Sequence, residues 1–388
     1  MTDGLLDGIR VLDLASVGPA ARASRWLADY GAEVIKVGPV PGREEVQITP
    51  PFYAYSAHRQ MKRALFDLKA PGGRQAFLRL AGQADVMIES FRPGVVDRLG
   101  IGHADVQTVN PGIVYCSTTG YGQTGPRARW AGHDLNYLAA TGFLDCSTPG
   151  PDGRPPIPGA TVADSAGGGM HAVIAILAAL VARQRTGEGA YLDVSVAEGM
   201  LAIMALQVDE HLATGVVPGP GHSMLTGRFA CYGCYAGADG RWLAVAAIEP
   251  RFWTNLCQAL GLERWAGHQT DDAAQAAIRA DLERVFATRG RDDWVAELAP
   301  ADTCVAPVAS VAELADDPQL AARHVFIEAA HPRHGGFRQV APVLAGTRRP
   351  DEPHPVPAAD LTATDDLLAA AGLSAAEVGR LRDSGAVA

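Results

Sequence analysis

Residues 9–37 read I-R-V-L-D-L-A-S-V-G-P-A-A-R-A-S-R-W-L-A-D-Y-G-A-E-V-I-K-V. The stretch opens on an apolar strand from Ile9 to Leu14 and takes helical spacing from Ala20 to Tyr30. It stops at Gly31 and resumes as a strand from Glu33 to Val37. Two apolar runs of strand length joined by one helix predict a βαβ unit, whose helix carries the chain back so that the strands run parallel. The same pattern continues outward. Arg63 to Lys69, Asp85 to Glu89, Ile113 to Ser117 and Tyr191 to Val196 predict four more strands, with a helix from Pro71-Gly72 towards Ala84. An α/β fold with a mostly parallel sheet follows. Ligands of such sheets sit beyond the carboxyl ends of the strands, here at 15–19, 38–43, 90–94 and 118–122.

After the first strand the chain reads L-A-S-V-G-P-A-A, with no G-x-G-x-x-G, which argues against a dinucleotide enzyme of the usual type. The absence of G-x-x-x-x-G-K-[ST] excludes a P-loop. A composition of 48% hydrophobic and 20% charged residues is that of a soluble globular protein, and a net charge of -10 argues against general nucleic-acid binding. The N-terminus M-T-D-G-L-L-D-G-I-R carries no signal-peptide pattern, and six cysteines in 388 residues form no dense framework. The expectation is a cytoplasmic protein with reduced thiols, no membrane contact and no nucleic-acid partner.

The Pro/Gly-rich run from Ser147 to Gly159 predicts a loop. A long helix is predicted from Ser165 to Arg185, closed by Thr186-Gly187, with Asp164 at its N-cap. Its apolar part, Met170 to Ala182, is expected to be too short to span a bilayer and to be a buried helix. Gly215 to Gly221 looks like a linker. Two apolar runs around Asp239-Gly240 predict a hairpin, followed by helices at Phe252–Leu260 and Asp272–Ala287. Ser374 and Glu377 form a capping box for the last helix. The expected organisation is a large domain over 1–200, a linker over 201–224, a small α/β domain over 225–300, a return linker over 301–325, and a C-terminal segment, 326–388, packing back on the large domain.

Three residues stand out as proton carriers: His133 beside Asp134 in A-G-H-D-L-N-Y, Asp164 in V-A-D-S-A-G-G-G-M, and Glu249 in A-I-E-P-R-F-W. An imidazole and a carboxylate facing one pocket can serve the two faces of a carbon acid. Asp164 also suits the plain role of helix cap. Arg92, after a strand end, suits a phosphate fork or a carboxylate partner. Arg59, Lys62 and Arg63 form a basic cluster that fits either an anion site or a solvated face. Cys231 and Cys234 lie on a probable strand and are expected to pack there rather than hold a metal. Ser117 and Ser165 lack a nucleophile elbow.

Taken together, L-A-D-Y-G-A-E-V-I-K-V, R-A-L-F-D-L-K, D-V-M-I-E-S-F-R-P-G, Y-G-Q-T-G-P, A-G-H-D-L-N-Y, V-A-D-S-A-G-G-G-M and D-P-Q-L-A-A-R resemble the family III CoA transferases over nearly the whole chain. Within them the chain is most similar to the alpha-methylacyl-CoA racemases. The resemblance implies a Rossmann-like large domain and a small α/β domain in an interlocked homodimer. Active sites would lie between one chain's large domain and the other's small domain, and CoA along the strand ends. It makes Asp164 the family's active-site aspartate, a nucleophile in transferases and a proton carrier in racemases. His133 and Glu249 are racemase features.

The implied reaction is interconversion of 2R and 2S 2-methylacyl-CoA thioesters in fatty acid metabolism, with Asp134 or Glu249 holding the imidazole. The alternative is transfer of CoA between carboxylic acids through an Asp164 intermediate. No cofactor is implied beyond the CoA of the substrate, and no metal. The candidate CoA contacts are Arg92, Arg43, Arg59, Lys62, Asp67, Lys69 and Tyr137. Val37-Gly38-Pro39-Val40 departs from the family pattern, and Arg43 is the candidate to replace the phosphate contact missing there.

Overall fold

The computed structural model describes residues 4–41, 51–350, 352–358 and 361–388. Within it β1 (Arg10–Asp13), α1 (Gly18–Asp29) and β2 (Glu33–Gly38) form the βαβ unit of the opening stretch. Then come β3 (Met61–Leu65), α2 (Pro71–Ala81), β4 (Val86–Glu89), α3 (Val95–Leu99), α4 (His103–Val109), β5 (Val114–Thr119), α5 (Asp134–Ala140) and α6 (Phe143–Cys146). A π-helical stretch, Ala163–Met170, runs into α7 (His171–Thr186), followed by β6 (Ala190–Ser195), α8 (Val196–Ile203) and α9 (Ala205–Thr214). The six strands make one parallel sheet in the order β3-β2-β1-β4-β5-β6. The order reverses between β1 and β4, so their carboxyl ends part and open a crevice.

Both faces of the sheet are covered, which is why its central strands β1, β4 and β5 are buried without alternation. On one face Leu12, Ile35, Phe77, Leu80, Met87 and Tyr115 pack with Leu367, Leu368 and Val378 from the C-terminal helices. On the other, Val11, Leu27, Val34, Ile88 and Val114 pack against Ala172, Val173, Ile176 and Leu180 of α7.

β3 starts two residues earlier than its apolar run and stops at Leu65. Phe66 N–H still donates to Gly38 O of β2, and from Asp67 the backbone is claimed elsewhere, its N–H donating to Ala386 O. The expected apolar stretch Met170 to Ala182 is part of a longer helical run, Ala163–Thr186, whose 24 residues include an 18-residue window of mean hydropathy 1.8, enough to cross a bilayer by length and composition. Its buried side is the sheet-facing side of α7 just described, which makes it a core helix.

The described chain divides into two compact units. One draws on Met1–Thr141, Pro158–Ala205 and Pro318–Ala388, the other on Gly142–Ile157 and Leu206–Asp317. The expected linker at 201–224 is largely helical, because α9 fills its middle. In the second unit β7 (Tyr232–Ala236) and β8 (Trp242–Ala246) form the hairpin about Asp239-Gly240, with Gly240 at φ 73. The unit's helices α10 (Pro250–Ala259), α11 (Gln275–Phe286) and α12 (Arg291–Leu298) bury Trp253, Phe286 and Trp294 with Tyr235 and Leu243. Cys231 is buried and Cys234 exposed. Cys231 lies just before β7 and Cys234 within it, and the two thiols face different surroundings.

Candidate active site

β5 delivers the chain to a loop that is fixed from below by one aromatic ring. Tyr137, on α5, lies so close to Gly120 and Gly132 that a Cβ on either would collide with it. Its hydroxyl donates to Gly132 O at 2.6 Å. The loop is thereby held, and His133 becomes the N-cap residue of α5, its N–H donating to Asn136 Oδ1 at 3.0 Å. The imidazole is left exposed and makes no hydrogen bond among the described residues. Tyr137, 8% exposed with its hydroxyl donating to Gly132 O, is a post under the site.

Asp134 and Asp164 meet across two helix starts. Asp134 Oδ1 accepts the Asp164 N–H at 2.8 Å, satisfying one of the donors that a helix start leaves open. Asp164 is therefore not the N-cap. Val162 occupies that position, and Asp164 lies in the first turn, with the cap supplied from α5. Through the same bond Asp134 Oδ1 anchors the helix of Asp164. The Asp164 side chain is 17% exposed. Burial pushes its carboxyl above the ordinary range; the Arg22 guanidinium opposes this, Asp134 adds to it, and His133 opposes it. Such a carboxyl is closer to the working range of a general acid–base than a free aspartate.

The three glycines after Asp164 are a packing seam. A Cβ on Gly168 would meet Pro19 at 2.5 Å, and one on Gly169 the Trp26 ring at 2.8 Å. Gly168 and Gly169 let the helix lie against α1, while Gly167 faces Met200 of α8, and the close approach brings Asp164 beside Arg22, a residue the sequence reading missed. Its signal was an arginine set among alanines near the start of α1. Arg22 Nη1 stands 3.9 Å from Asp164 Oδ2.

The cation candidates separate sharply. Arg59 is 1% exposed and is spent on Asp29, at 2.9 Å, and on the Val340 carbonyl at 2.6 Å. It is a core residue, and its expected CoA contact is corrected. Asp67 is buried and closes a turn by accepting Lys69 N–H at 3.1 Å. Lys69 and Arg92 are exposed, Arg92 on the loop beyond β4. Lys62 pairs with Glu33 at 2.5 Å and lines a cleft in the first unit. Lys36, Arg63 and His58 line it too, as do Ala15 and Ser16 at the end of β1; neither His133 nor Asp164 does. Burial beside Lys36, Arg25 and Arg63 pushes His58 down to about 4, so it is neutral in this cationic cleft. Glu249 is exposed at the start of α10, in the second unit. Arg43 lies outside the described residues.

The family model for CoA-transferase family III matches residues 6–360. The chain belongs to the family III CoA-transferases. Among its relatives, human alpha-methylacyl-CoA racemase is 34% identical over 325 residues, covering 83% of this chain and 82% of that protein. Acetyl-CoA:oxalate CoA-transferase of Acetobacter aceti is 32% identical over 340 residues, covering 84% and 86%. The crystal structure of a CaiB/BaiF family protein from Brucella suis superposes with a TM-score of 0.73 at 32% identity, covering 84% of this chain and 90% of that one.

Proposed function

We propose that this protein interconverts the 2R and 2S epimers of a 2-methylacyl-CoA thioester. The observation that carries the reading is the bond from Asp164 N–H to Asp134, the residue next to His133, which places an exposed imidazole and a half-buried carboxyl in one electrostatic neighbourhood. A thioester acidifies its α-C–H because the enolate oxygen takes up the charge. One of His133 and Asp164 removes that proton and the other returns one to the opposite face, the roles exchanging with direction. Backbone N–H groups near the start of the Asp164 helix stabilise the enolate oxygen. The reading needs no metal or redox cofactor. The nucleotide end of CoA takes the cationic cleft, from which Ala15 and Ser16 lead along the start of α1 towards Asp164. Glu249 is proposed to act from the small domain of a partner copy in a cytoplasmic homodimer. The exposed Met170, Ile174, Val181, Leu201 and Ile203 support association with a second copy.

The second reading is CoA transfer between carboxylic acids, favoured by the relative that acts on acetyl-CoA and oxalate. There Asp164 attacks the acyl carbonyl and CoA leaves, giving ping-pong kinetics and an Asp164-linked acyl group that hydroxylamine traps. The deciding assay incubates one 2-methylacyl-CoA epimer with the protein in D2O, with no acceptor acid, and follows the α-position by NMR. Loss of the α-proton signal with appearance of the other epimer is expected, and Asp164→Asn abolishes both. No exchange across a range of chain lengths, together with a mixed anhydride on Asp164 trapped by hydroxylamine, replaces the first reading by the second.

A further inference from the structure

We propose that Arg22 is the positioning residue for Asp164, fastening the helix start that carries the carboxylate and supplying the cation beside it. The proposal deepens the reading of Asp164 as a proton carrier and rests on it. Arg22 Nε donates to Ser165 Oγ at 3.0 Å and Nη2 to Thr161 Oγ1 at 2.6 Å. These two hydroxyls flank Asp164 in the sequence, so a guanidinium that holds both must lie beside its carboxylate, as the 3.9 Å separation records. Nη1 donates to Gly18 O at 3.3 Å and to the Tyr55 hydroxyl at 3.4 Å.

The clamp continues away from the site. The Tyr55 ring lies 5.3 Å from the Arg22 guanidinium carbon, and its hydroxyl accepts Gly18 N–H at 2.9 Å. Tyr55 belongs to a turn whose residues 55–58 all have φ between 50 and 55, a backbone state that L-residues rarely hold. Ala57 and His58 of the same turn line the cationic cleft. Arg22 thus ties three segments together: the start of α1, the turn at the cleft, and the helix start of Asp164. The fork geometry requires arginine, because an ammonium cannot hold two separated hydroxyls in one plane.

The charged and titratable groups facing Asp164 are Arg22 from α1 and Asp134, His133 and Tyr137 from α5 and its cap. Arg22 is the largest charge acting on it, and it opposes burial.

The test reads Asp164 without substrate. Protein carrying 13Cγ-aspartate is titrated by NMR, the Asp164 signal being identified by its loss in Asp164→Asn. Arg22→Gln is expected to raise the Asp164 midpoint by about one pH unit, the effect of losing one cation at this range. Arg22→Lys restores most of that shift. Thr161→Val with Ser165→Ala releases the clamp without removing the charge, and is expected to move the midpoint the same way by less. It also serves should Arg22→Gln fail to fold. A midpoint that stays at the wild-type position in folded Arg22→Gln, or in the double variant, overturns the proposal. A moved midpoint with no α-proton exchange on any 2-methylacyl-CoA leaves Arg22 in its role and removes the racemase reading. Exchange with an unmoved midpoint does the reverse.

Discussion

Replacing Gly168 by alanine tests the packing that places Asp164. The added Cβ would stand 2.5 Å from Pro19 Cβ and 2.9 Å from Val196 Cγ2, where ordinary contact begins at 3.4 Å. Neither neighbour gives way easily, since Pro19 is a rigid ring in the first turn of α1 and Val196 opens α8. The π-helical stretch must therefore retract by roughly 1 Å, carrying Asp164 with it. Alanine gains up to about 1 kcal/mol over glycine in a helix, and overpacking costs about 1–3 kcal/mol, so a net loss on the order of 1 kcal/mol is expected. The functional loss is larger, because a shift of about 1 Å at a reacting group costs on the order of 10²-fold in rate. Gly379, in the C-terminal helix Ala375–Asp383, has nothing within 4 Å of its added Cβ and is the control. Gly379→Ala should gain about 0.5–1 kcal/mol and leave the rate alone. Urea midpoints at unchanged slope and α-proton exchange rates read the two effects. If Gly168→Ala gains stability as Gly379→Ala does and keeps the wild-type rate, the steric argument is refuted.

Arg59→Ala should cost about 3 kcal/mol, the low end for breaking a buried pair, because Arg25 still holds Asp29 at 2.7 Å; unfolding midpoints check it. Asp134→Ala removes the acceptor of Asp164 N–H and should cost about 0.5–2 kcal/mol, as loss of a cap does. It also removes a negative charge that raises the Asp164 carboxyl, so the acid limb of the exchange rate should move down in pH, opposite to Arg22→Gln. Glu89, 1% exposed, is pushed by burial from 4.5 up to about 7 against its bonds to Ser117 and Phe91 N–H. With the folded value above the unfolded one, its stabilising contribution is fully present below about 4.5 and is lost as pH rises through about 7. Glu89→Gln should flatten that part of the stability profile, a change on the order of 3 kcal/mol between pH 4 and 8.

The sequence alone determined the parallel sheet and the stretches that carry chemistry. Strand and helix periods are local, and each of β1, α1, β2, β4, β5 and β6 is bounded by residues whose preferences can be read in place. It also brought forward His133, Asp134 and Asp164, because an ionisable side chain in an apolar frame is visible as a string. Their division of labour was not visible. That Asp134 caps the helix of Asp164, that Arg59 is buried on Asp29 while Lys62 lines a cleft, and that Tyr137 supports two glycines are relations between residues distant in sequence. Arg22 shows the limit best. In the chain it is one arginine among alanines, and it gains meaning only because Gly168 and Gly169, 146 and 147 residues downstream, let a second helix close onto α1. Propensity fixes which segments form, whereas the assignment of each charge depends on what burial brings beside it, and burial is a property of the packed fold.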